Sequence, residues 1–496
     1  MPYSLKKILT AHQIQLADSY TIENKSIYSI ELMEGASHAF VVAIEHRISR
    51  NQNIIVVCGV GNNGGDGLAV ARILQSKGFS VETILVKFKD KLSPDCFTNF
   101  HKLMDIDVVE STSEIPDFTN FDLIIDAIFG SGLTRPVEGL ASNVINAINT
   151  AHKTVLSIDV PSGLYCDKLT DSDCIIKSAL TVSFQRPKLS FFFPETNAYI
   201  QKWTVVNIGL NESFIQRMES ENYVLDYHIS SVVKTRKKFS HKGTYGHTLL
   251  IAGSHGKIGA VVLAAQACLR SGVGLLTTYV PRCGYEIIQV STPEAMCLTD
   301  DNYSIVTALP DLSNYDSIGI GPGLGKHTLT KEVIKEIFSI ANQGLVIDAD
   351  ALNIISEDKE ILKILPKNSI LTPHPKEFER LVGQWSNSEE RLQKLKTFST
   401  EHQCITVLKD ANTCIGDQNG NVYFNTSGNS GMATGGSGDV LTGIITGVLA
   451  QGYDPLEAAL IGVYFHGKSG NEAAGQKGKN ALIASDLIDH LRIERE

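Results

Sequence analysis

From about Asn53 the chain alternates short apolar runs with stretches whose apolar residues recur at helical spacing. NIIVVCGV is followed by DGLAVARILQSKG and SVETILV, and later by FDLIIDAIF, TVLSIDV and ALTVSF. Strand patterns interleaved with helix patterns predict a mostly parallel sheet with helices on both faces. The rhythm is expected to stop around WTVVNIGLNESFIQRMESENYVLDYH, and the charged KTRKKFSHKG follows, so a boundary is placed near Asn211 to Val224. A second alternation opens with HTLLIAGS and AVVLAAQACLRSGVG. It continues through LLTTYVP, DSIGIGPGLG, LVIDADALN, SILTPHP and CITVLKD, and then enters a Gly-rich segment. The two halves share a class but no visible repeat, so two fused α/β domains are expected.

Composition narrows the class. A length of 496 residues exceeds one ordinary domain, and 43% hydrophobic with 20% charged residues is the make-up of a soluble globular protein. The net charge of −10 argues against a general nucleic-acid or anionic-membrane binder. Nine scattered cysteines without a C-x-x-C pair read as reduced thiols, not as a zinc site. MPYSLKKILT lacks the apolar core of a signal peptide, and no 18-residue apolar run occurs. A cytoplasmic protein acting on small molecules is expected, with no nucleic-acid or membrane partner and as a homo-oligomer.

The first chemistry-bearing stretch is CGVGNNGGDGLAVAR, from Cys58 to Arg72. Gly59-x-Gly61-x-x-Gly64 fits the dinucleotide fingerprint, and Glu82 falls near the place of a ribose-binding acid. Tight strand-to-helix turns are also Gly-rich for packing alone. Asp66, moreover, sits where a pyrophosphate would rest, and a carboxylate there repels phosphate. Asn62, Asn63 and Asp66 instead offer polar atoms suited to hydroxyls, an amide or a hard cation. IIDAIFGSGLTRP puts Asp126 at a strand end before a loop from Gly130 to Pro136, and LSIDVPSG puts Asp159 and Ser162 at another. Strand carboxyl ends line the ligand crevice of an open parallel sheet.

NNGGDG, DAIFGSGL-x-RP and DVPSG together resemble the N-terminal domain of the bifunctional NAD(P)H-hydrate repair enzymes, over residues 1–215. That resemblance implies a Rossmann-like three-layer sandwich and an epimerase for the hydrated nicotinamide ring. It implies a potassium ion (K+) held by Asn63, Asp126 and Ser162. Substrate contacts are implied at Asn62, Asn63, Gly64, Gly65 and Asp66, at Gly130, Ser131, Gly132, Leu133, Thr134, Arg135 and Pro136, and at Asp159. Oxygen ligation of a hard cation suits those side chains. The chemistry needs a group to move a proton at the C6 hydroxyl, and Asp159 is the residue expected to do so.

In the second half, NTSGNSGMATGGSGDVLTG runs from Asn425 to Gly443. After it Val440, Leu441, Ile444, Ile445, Val448 and Leu449 repeat with helical spacing, which predicts a helix from about Asp439. The glycines let the backbone turn tightly and aim N–H groups at an anion, beside the positive end of the helix dipole. A carboxylate next to an anion hole is what phosphoryl transfer requires. GGSGD at a helix start resembles the ribokinase-like family. With KGTYGHTLLIAGS, GIGPGLG, VIDADALN, LTPHPKEFERL and VLKDANTCI it is similar to that family's hydrate-dehydratase branch, over residues 226–496.

The resemblance implies a second, ribokinase-like three-layer sandwich. Substrate contacts are implied at Ala260, Gly323, His374 and Asp439, with Asp439 as catalytic base. ADP, accompanied by Mg2+, is placed against Lys409, Asp410, Ala411, Asn412 and Thr413. It is also placed against the loop carrying Asn429, Ser430, Gly431, Gly435, Gly436, Ser437 and Gly438. Asp410 departs from the glycine usual in the family and adds negative charge beside a nucleotide. Taken without the resemblance, His374 before a helix could be a turn residue and Lys409 a solvated charge.

Gly462 to Ser469, GVYFHGKS, satisfies the Walker A pattern letter for letter. A phosphate cradle follows a strand and needs small residues, whereas Val463, Tyr464 and Phe465 are bulky, so a core helix is expected. Three other functions fit parts of the chain: a small-molecule kinase in the second half, an NAD-dependent oxidoreductase, and a non-catalytic N-terminal binding module.

Overall fold

The computed structural model describes residues 5–342 and 344–495; residues 1–4, Gln343 and Glu496, which fall within the two expected domains, lie outside the described residues. The chain divides into two compact units. One is Lys7–Ser220, and the other runs from Glu221 onward with Leu5 and Lys6.

The first unit is built on seven parallel strands. Their order is Asp107–Val109, Ser80–Val86, Asn53–Cys58, Leu123–Ala127, Thr154–Ile158, Leu180–Phe184 and Trp203–Val206. Strand order runs outward both ways from Asn53–Cys58, so this strand and Leu123–Ala127 border the switch point where a ligand crevice opens. Ile54, Val56 and Cys58 enter one core with helices Ser29–Glu45 and Asn62–Ser76. Ile55 and Val57 enter the opposite core, with helix Gly139–Thr150. Because both faces are covered, no polar alternation survives, and the strand reads as one apolar run.

Two strands lie where the rhythm was expected to stop. Trp203–Val206, half-buried throughout, extends the first sheet beside Leu180–Phe184. Asn222–Leu225 falls across the expected boundary and pairs with Val422–Asn425 in the second sheet. Such peripheral strands carry a diluted apolar pattern, which hid them.

The second unit holds an eleven-stranded sheet. From the short edge strand Lys6–Lys7 the order is Asn222–Leu225, Val422–Asn425, Cys414–Gly416, Ile405–Leu408, Ile370–Leu371 and Gly344–Ile347. It ends with Ser317–Ile320, His247–Ile251, Leu275–Val280 and Met296–Thr299. Cys414–Gly416 is antiparallel to both neighbours, and the pairings from Ile405–Leu408 to Met296–Thr299 are parallel. Helix Ser437–Ala450 is apolar on all sides and packs between helices Ile258–Arg270 and Pro455–Lys477. A Cβ on Gly443 would stand 2.1 Å from the Ala264 carbonyl oxygen, so that packing is backbone against backbone. The Walker-like letters lie inside helix Pro455–Lys477, with Val463, Tyr464 and Phe465 buried. Among the described residues no single helix is long and apolar enough to cross a membrane.

Candidate functional site

The crevice of the first unit is a cavity of about 870 Å³. Asn62, Asn63, Asp66, Asp159 and the loop Gly130–Pro136 line it, so three strand ends distant in sequence do converge. Gly64 and Gly65 do not line it. Helix Asn62–Ser76 starts four residues before Asp66, where the apolar pattern alone places it, and both glycines lie in its first turn. A Cβ on Gly64 would meet the Gly59 carbonyl oxygen at 1.7 Å, and one on Gly65 would meet Met33 at 2.9 Å. Gly64 lets the helix lie against the turn, and Gly65 makes room for the Met33 side chain and the Cys96 backbone. Glu82 is exposed near the start of its strand, away from the carboxyl ends, so it cannot serve as the ribose acid of a dinucleotide fold.

Asn63, Asp126 and Ser162 gather around one carbonyl. The Phe129 oxygen accepts from Asn63 Nδ2 at 2.9 Å and from Ser162 Oγ at 3.3 Å, while the Phe129 N–H donates to Ser162 Oγ at 2.8 Å. Asp126 is fully buried and accepts from the Ser162 hydroxyl, the Ser162 N–H at 2.8 Å and Ser157 Oγ at 2.9 Å. Burial raises its pKa, and these donors hold the rise back. A Cβ on Gly130 would come within 3.0 Å of Asn63 Oδ1, an oxygen that accepts no hydrogen bond among the described residues. These amide, hydroxyl, carboxylate and carbonyl oxygens are of the kind that suits a hard cation. Among the described residues no group of three or more His, Cys, Asp and Glu could hold a metal ion.

Asp159 has left-handed backbone, with φ at 62°. Its carboxylate accepts from the Phe184 N–H at 3.0 Å and Ser183 Oγ at 3.3 Å, and it pairs with Lys188 Nζ at 2.8 Å. Lys188 is only 1% exposed, and no sequence feature singles it out. Asp18 is a second residue missed by sequence reasoning. It lies on helix Ala11–Lys25, lines the cavity, and keeps Oδ1 buried without a hydrogen-bond partner. Burial first, then the Asp159 charge, push its pKa up to about 7, against the pull of Lys188. A signal was available: Ile14, Ala17 and Thr21 are the buried stripe of that helix, and Asp18 lies on the same face.

In the second unit helix Ser437–Ala450 begins two residues before the expected Asp439. Gly436 caps it with φ at 89°, a left-handed conformation that favours glycine. The Ser437 N–H donates to the Thr434 carbonyl at 3.4 Å, and the next first-turn amides lack intrahelical acceptors, an arrangement suited to an anion. Asp439 stands in that turn, and burial together with the neighbouring Asp348 raises its pKa to about 7 while Lys409 opposes the rise. Lys409 Nζ pairs with Asp348 Oδ1 at 2.8 Å, and Thr442 Oγ1 donates to Asp348 Oδ2 at 2.7 Å. Asp348 is thus a buried organiser that the motif DADALN contained without marking.

Ala260 and Gly323 come together: a Cβ on Gly323 would stand 3.2 Å from the Ala260 Cβ. His374 caps helix Pro375–Val382, its Nδ1 accepting from the Lys376 and Glu377 amides, while Nε2 lies 3.4 Å from Glu377 Oε1. Burial and the nearby Lys409 lower its pKa, which favours the neutral ring. Asp410 pairs with Arg391 Nη1 at 2.6 Å, so the charge that departs from the family pattern is neutralised within the fold. In the Lys409–Thr413 turn, the Ala411 amide donates to Asp410 Oδ1 at 2.8 Å, while Thr413 Oγ1 donates to the Asp410 carbonyl at 3.2 Å. Asn429 holds the Gly-rich loop, accepting from the Gly431 N–H and donating to the Gly470 carbonyl, both at 2.9 Å. Behind the loop His466, its pKa pushed down to about 4 by burial, faces the Ser437 carbonyl at 3.0 Å.

With this geometry in place, the chain can be set against known proteins. A family model described as NAD(P)H-hydrate dehydratase matches residues 248–492, and one described as YjeF-related protein N-terminus matches residues 29–190. A bifunctional NAD(P)H-hydrate repair enzyme from Moorella thermoacetica is 36% identical, over 98% of this chain and 96% of its own. A protein of the same name from Coxiella burnetii is 34% identical, over 97% and 98%. Among solved structures, an ADP/ATP-dependent NAD(P)H-hydrate dehydratase from Bacillus subtilis, co-crystallised with ATP and Mg2+, is 32% identical. It covers 54% of this chain and 95% of its own, with a TM-score of 0.47.

Proposed function

The chain belongs to the bifunctional NAD(P)H-hydrate repair enzymes, and from that premise we propose how its two units divide the work. The first epimerises the hydrated dihydronicotinamide at C6. The second removes water from one epimer at the expense of ADP, restoring NADH or NADPH and releasing AMP and phosphate. The observation that carries this reading is the placement of Asp439. A half-buried acid with a pKa near 7 stands at the open end of an amide-lined helix, next to the Lys409–Asp348 pair.

In the second unit Asp439 takes the proton of the C6 hydroxyl as that oxygen attacks the β-phosphorus of ADP and AMP departs. Phosphate leaves far more readily than hydroxide. The ring nitrogen's lone pair expels it, and loss of the C5 proton restores the dihydronicotinamide. First-turn amides and Lys409 carry the charge on the transferred group, and Mg2+ bound with the nucleotide supplies further charge neutralisation. Ala260, Gly323 and His374 are the substrate side of this site. The turn Lys409–Thr413 and the loop Asn429–Gly438 are the nucleotide side.

In the first unit Asn62, Asp66 and the Gly130–Pro136 loop enclose the substrate, and Asp159 moves the proton at C6. Asn63, Asp126, Ser162 and the Phe129 carbonyl are suited to hold K+, whose contribution is to fix the loop that follows Asp126. Nine unpaired cysteines support a cytoplasmic location, and the exposed Val290, Met296 and Leu298 near one sheet edge support self-association. A kinase with a merely binding N-terminal module gains no support from relatives that match both halves.

The test is to incubate the chain with mixed hydrate epimers and ADP while following the absorbance of the reduced nicotinamide. Complete conversion of both epimers is expected. Conversion of Asp439→Asn at the parental rate would sink the assignment of that residue as base.

A further inference from the structure

Epimerisation has a requirement that Asp159 alone does not meet. To invert C6, hydroxyl must leave one face of the ring as water and water must add to the other. The leaving oxygen needs a proton as the C6–O bond breaks, and the incoming water must give one up as the new bond forms. Two groups on opposite sides of the substrate meet this need, one arriving protonated and one arriving as a base.

Asp159 is equipped for the second task. It accepts from the Phe184 N–H, Ser183 Oγ and Lys188 Nζ, which is how a carboxylate is held. The cavity wall contributed by helix Ala11–Lys25 offers a counterpart of opposite character. Asp18 has no cation of its own, its Oδ1 is buried without a partner, and apolar Ile14 and Ala17 flank it on the helix. We propose that Asp18 is the second catalytic residue of the epimerase, the acid that protonates the departing C6 hydroxyl while Asp159 takes the proton of the entering water. This inference rests on the epimerase reading given above and extends it to a residue outside the strand-end motifs.

The proton count closes. In one direction Asp18 gives its proton, the C6–O bond breaks, and the ring nitrogen's lone pair forms the C6=N1 iminium. Water adds from the other face, and Asp159 receives the released proton. In the reverse direction the two exchange roles, and water in the cavity returns the proton between turnovers. The Asp159 charge favours the protonated form of Asp18, the opposing Lys188 is engaged by Asp159, and the neighbouring Asp66 is itself held toward its neutral form by burial. Lys89, Arg135 and Glu138 are the other charged side chains on the cavity wall. The pKa of about 7 agrees with this picture and makes the acid available at neutral pH.

The experiment uses the full chain and purified R hydrate, with appearance of the S hydrate followed in the absence of nucleotide. Asp18→Asn is expected to lower epimerisation at least a hundredfold, with dehydration of the S hydrate in the other unit as the internal folding control. Asp18→Glu should recover part of the loss. The parent's epimerisation should fall as pH rises through about 7, and the residual rate of Asp18→Asn should lack that fall. The pH profile of the parent is a reading independent of any variant's folding. Epimerisation by Asp18→Asn within threefold of the parent, with the same pH profile, would overturn the role of Asp18 and leave the epimerase reading intact. Absence of epimerisation in the parent would overturn both.

Discussion

The two candidate sites solve one electrostatic problem in the same way. In each, a lysine is committed to one carboxylate: Lys188 to Asp159 in the first unit, Lys409 to Asp348 in the second. In each, another acid is left close by without a cation of its own, and burial lifts it to about 7: Asp18 and Asp439. The difference lies in what surrounds the lone acid. Asp439 stands in the first turn of a helix behind a Gly-rich loop, where the helix-start amides are suited to a phosphoryl group. Asp18 stands mid-helix on an apolar face, beside Asp66, another acid whose pKa is raised by burial and by the neighbouring acids. On the proposed reading, one site turns hydroxyl into phosphate before expelling it, while the other protonates it.

Removing the lone acid of the second pocket is the largest test of that contrast. Asp439→Asn should lower dehydration by about 10²–10⁴, the span of general-base contributions, with epimerisation untouched. A variant that slowed both would show that the pockets are not separate devices.

Disturbing the committed pair should matter next most. Lys409→Met removes the cation that opposes the rise in the Asp439 pKa, so the acidic limb of the dehydratase pH profile should move upward. Asp348→Asn removes a neighbouring charge that raises it, and the limb should move downward. Rate losses of about tenfold to a hundredfold are expected at the optimum, near the cost of about 1.4–2.7 kcal/mol for one charged hydrogen bond. Limbs that shift together, or not at all, would dissociate the pair from the base.

A stability measurement sharpens the same point with no substrate present. Asp439 titrates near 7 when folded and near 3.8 when unfolded. Its contribution to stability is therefore fully present below the unfolded value and is lost as pH rises through about 7. Asp439→Asn should melt a few degrees higher than the parent at pH 8 and show a smaller difference at pH 5. Equal differences at both pH values would mean that burial does not hold the acid neutral.

The smallest effect is expected from Lys468→Ala, in the letters that imitate a phosphate loop. Lys468 sits on helix Pro455–Lys477 with Glu472 at 3.9 Å, and both activities should stay within about twofold, as for other surface changes. A large loss of nucleotide affinity would reopen the Walker reading.

Much of both pockets could be read from local letters because their chemistry is concentrated at strand ends and helix starts. NNGGD, DAIFGSGL, DVPSG and GGSGD each mark a turn at a strand end or helix start, and the turns fall where the periodicity changes. Gly64 and Gly65 lie inside such a motif yet serve packing, since letters do not say which side of a turn faces the cavity. Asp18, Lys188 and Asp348 carried no local signature. Each is an ordinary charged residue whose meaning comes from a partner far along the chain, such as Lys409 for Asp348, 61 residues away.

The amino-acid order alone determined the alternation of strands and helices, the two α/β units and the turns that bear the reactive groups. Those follow from side-chain periodicity and from the backbone freedom of glycine, both local properties. Tertiary structure decided which lysine neutralises which carboxylate, and hence which acid is left to hold a proton near neutrality. Desolvation and Coulomb energy depend on distances through space, and only the folded chain sets those distances.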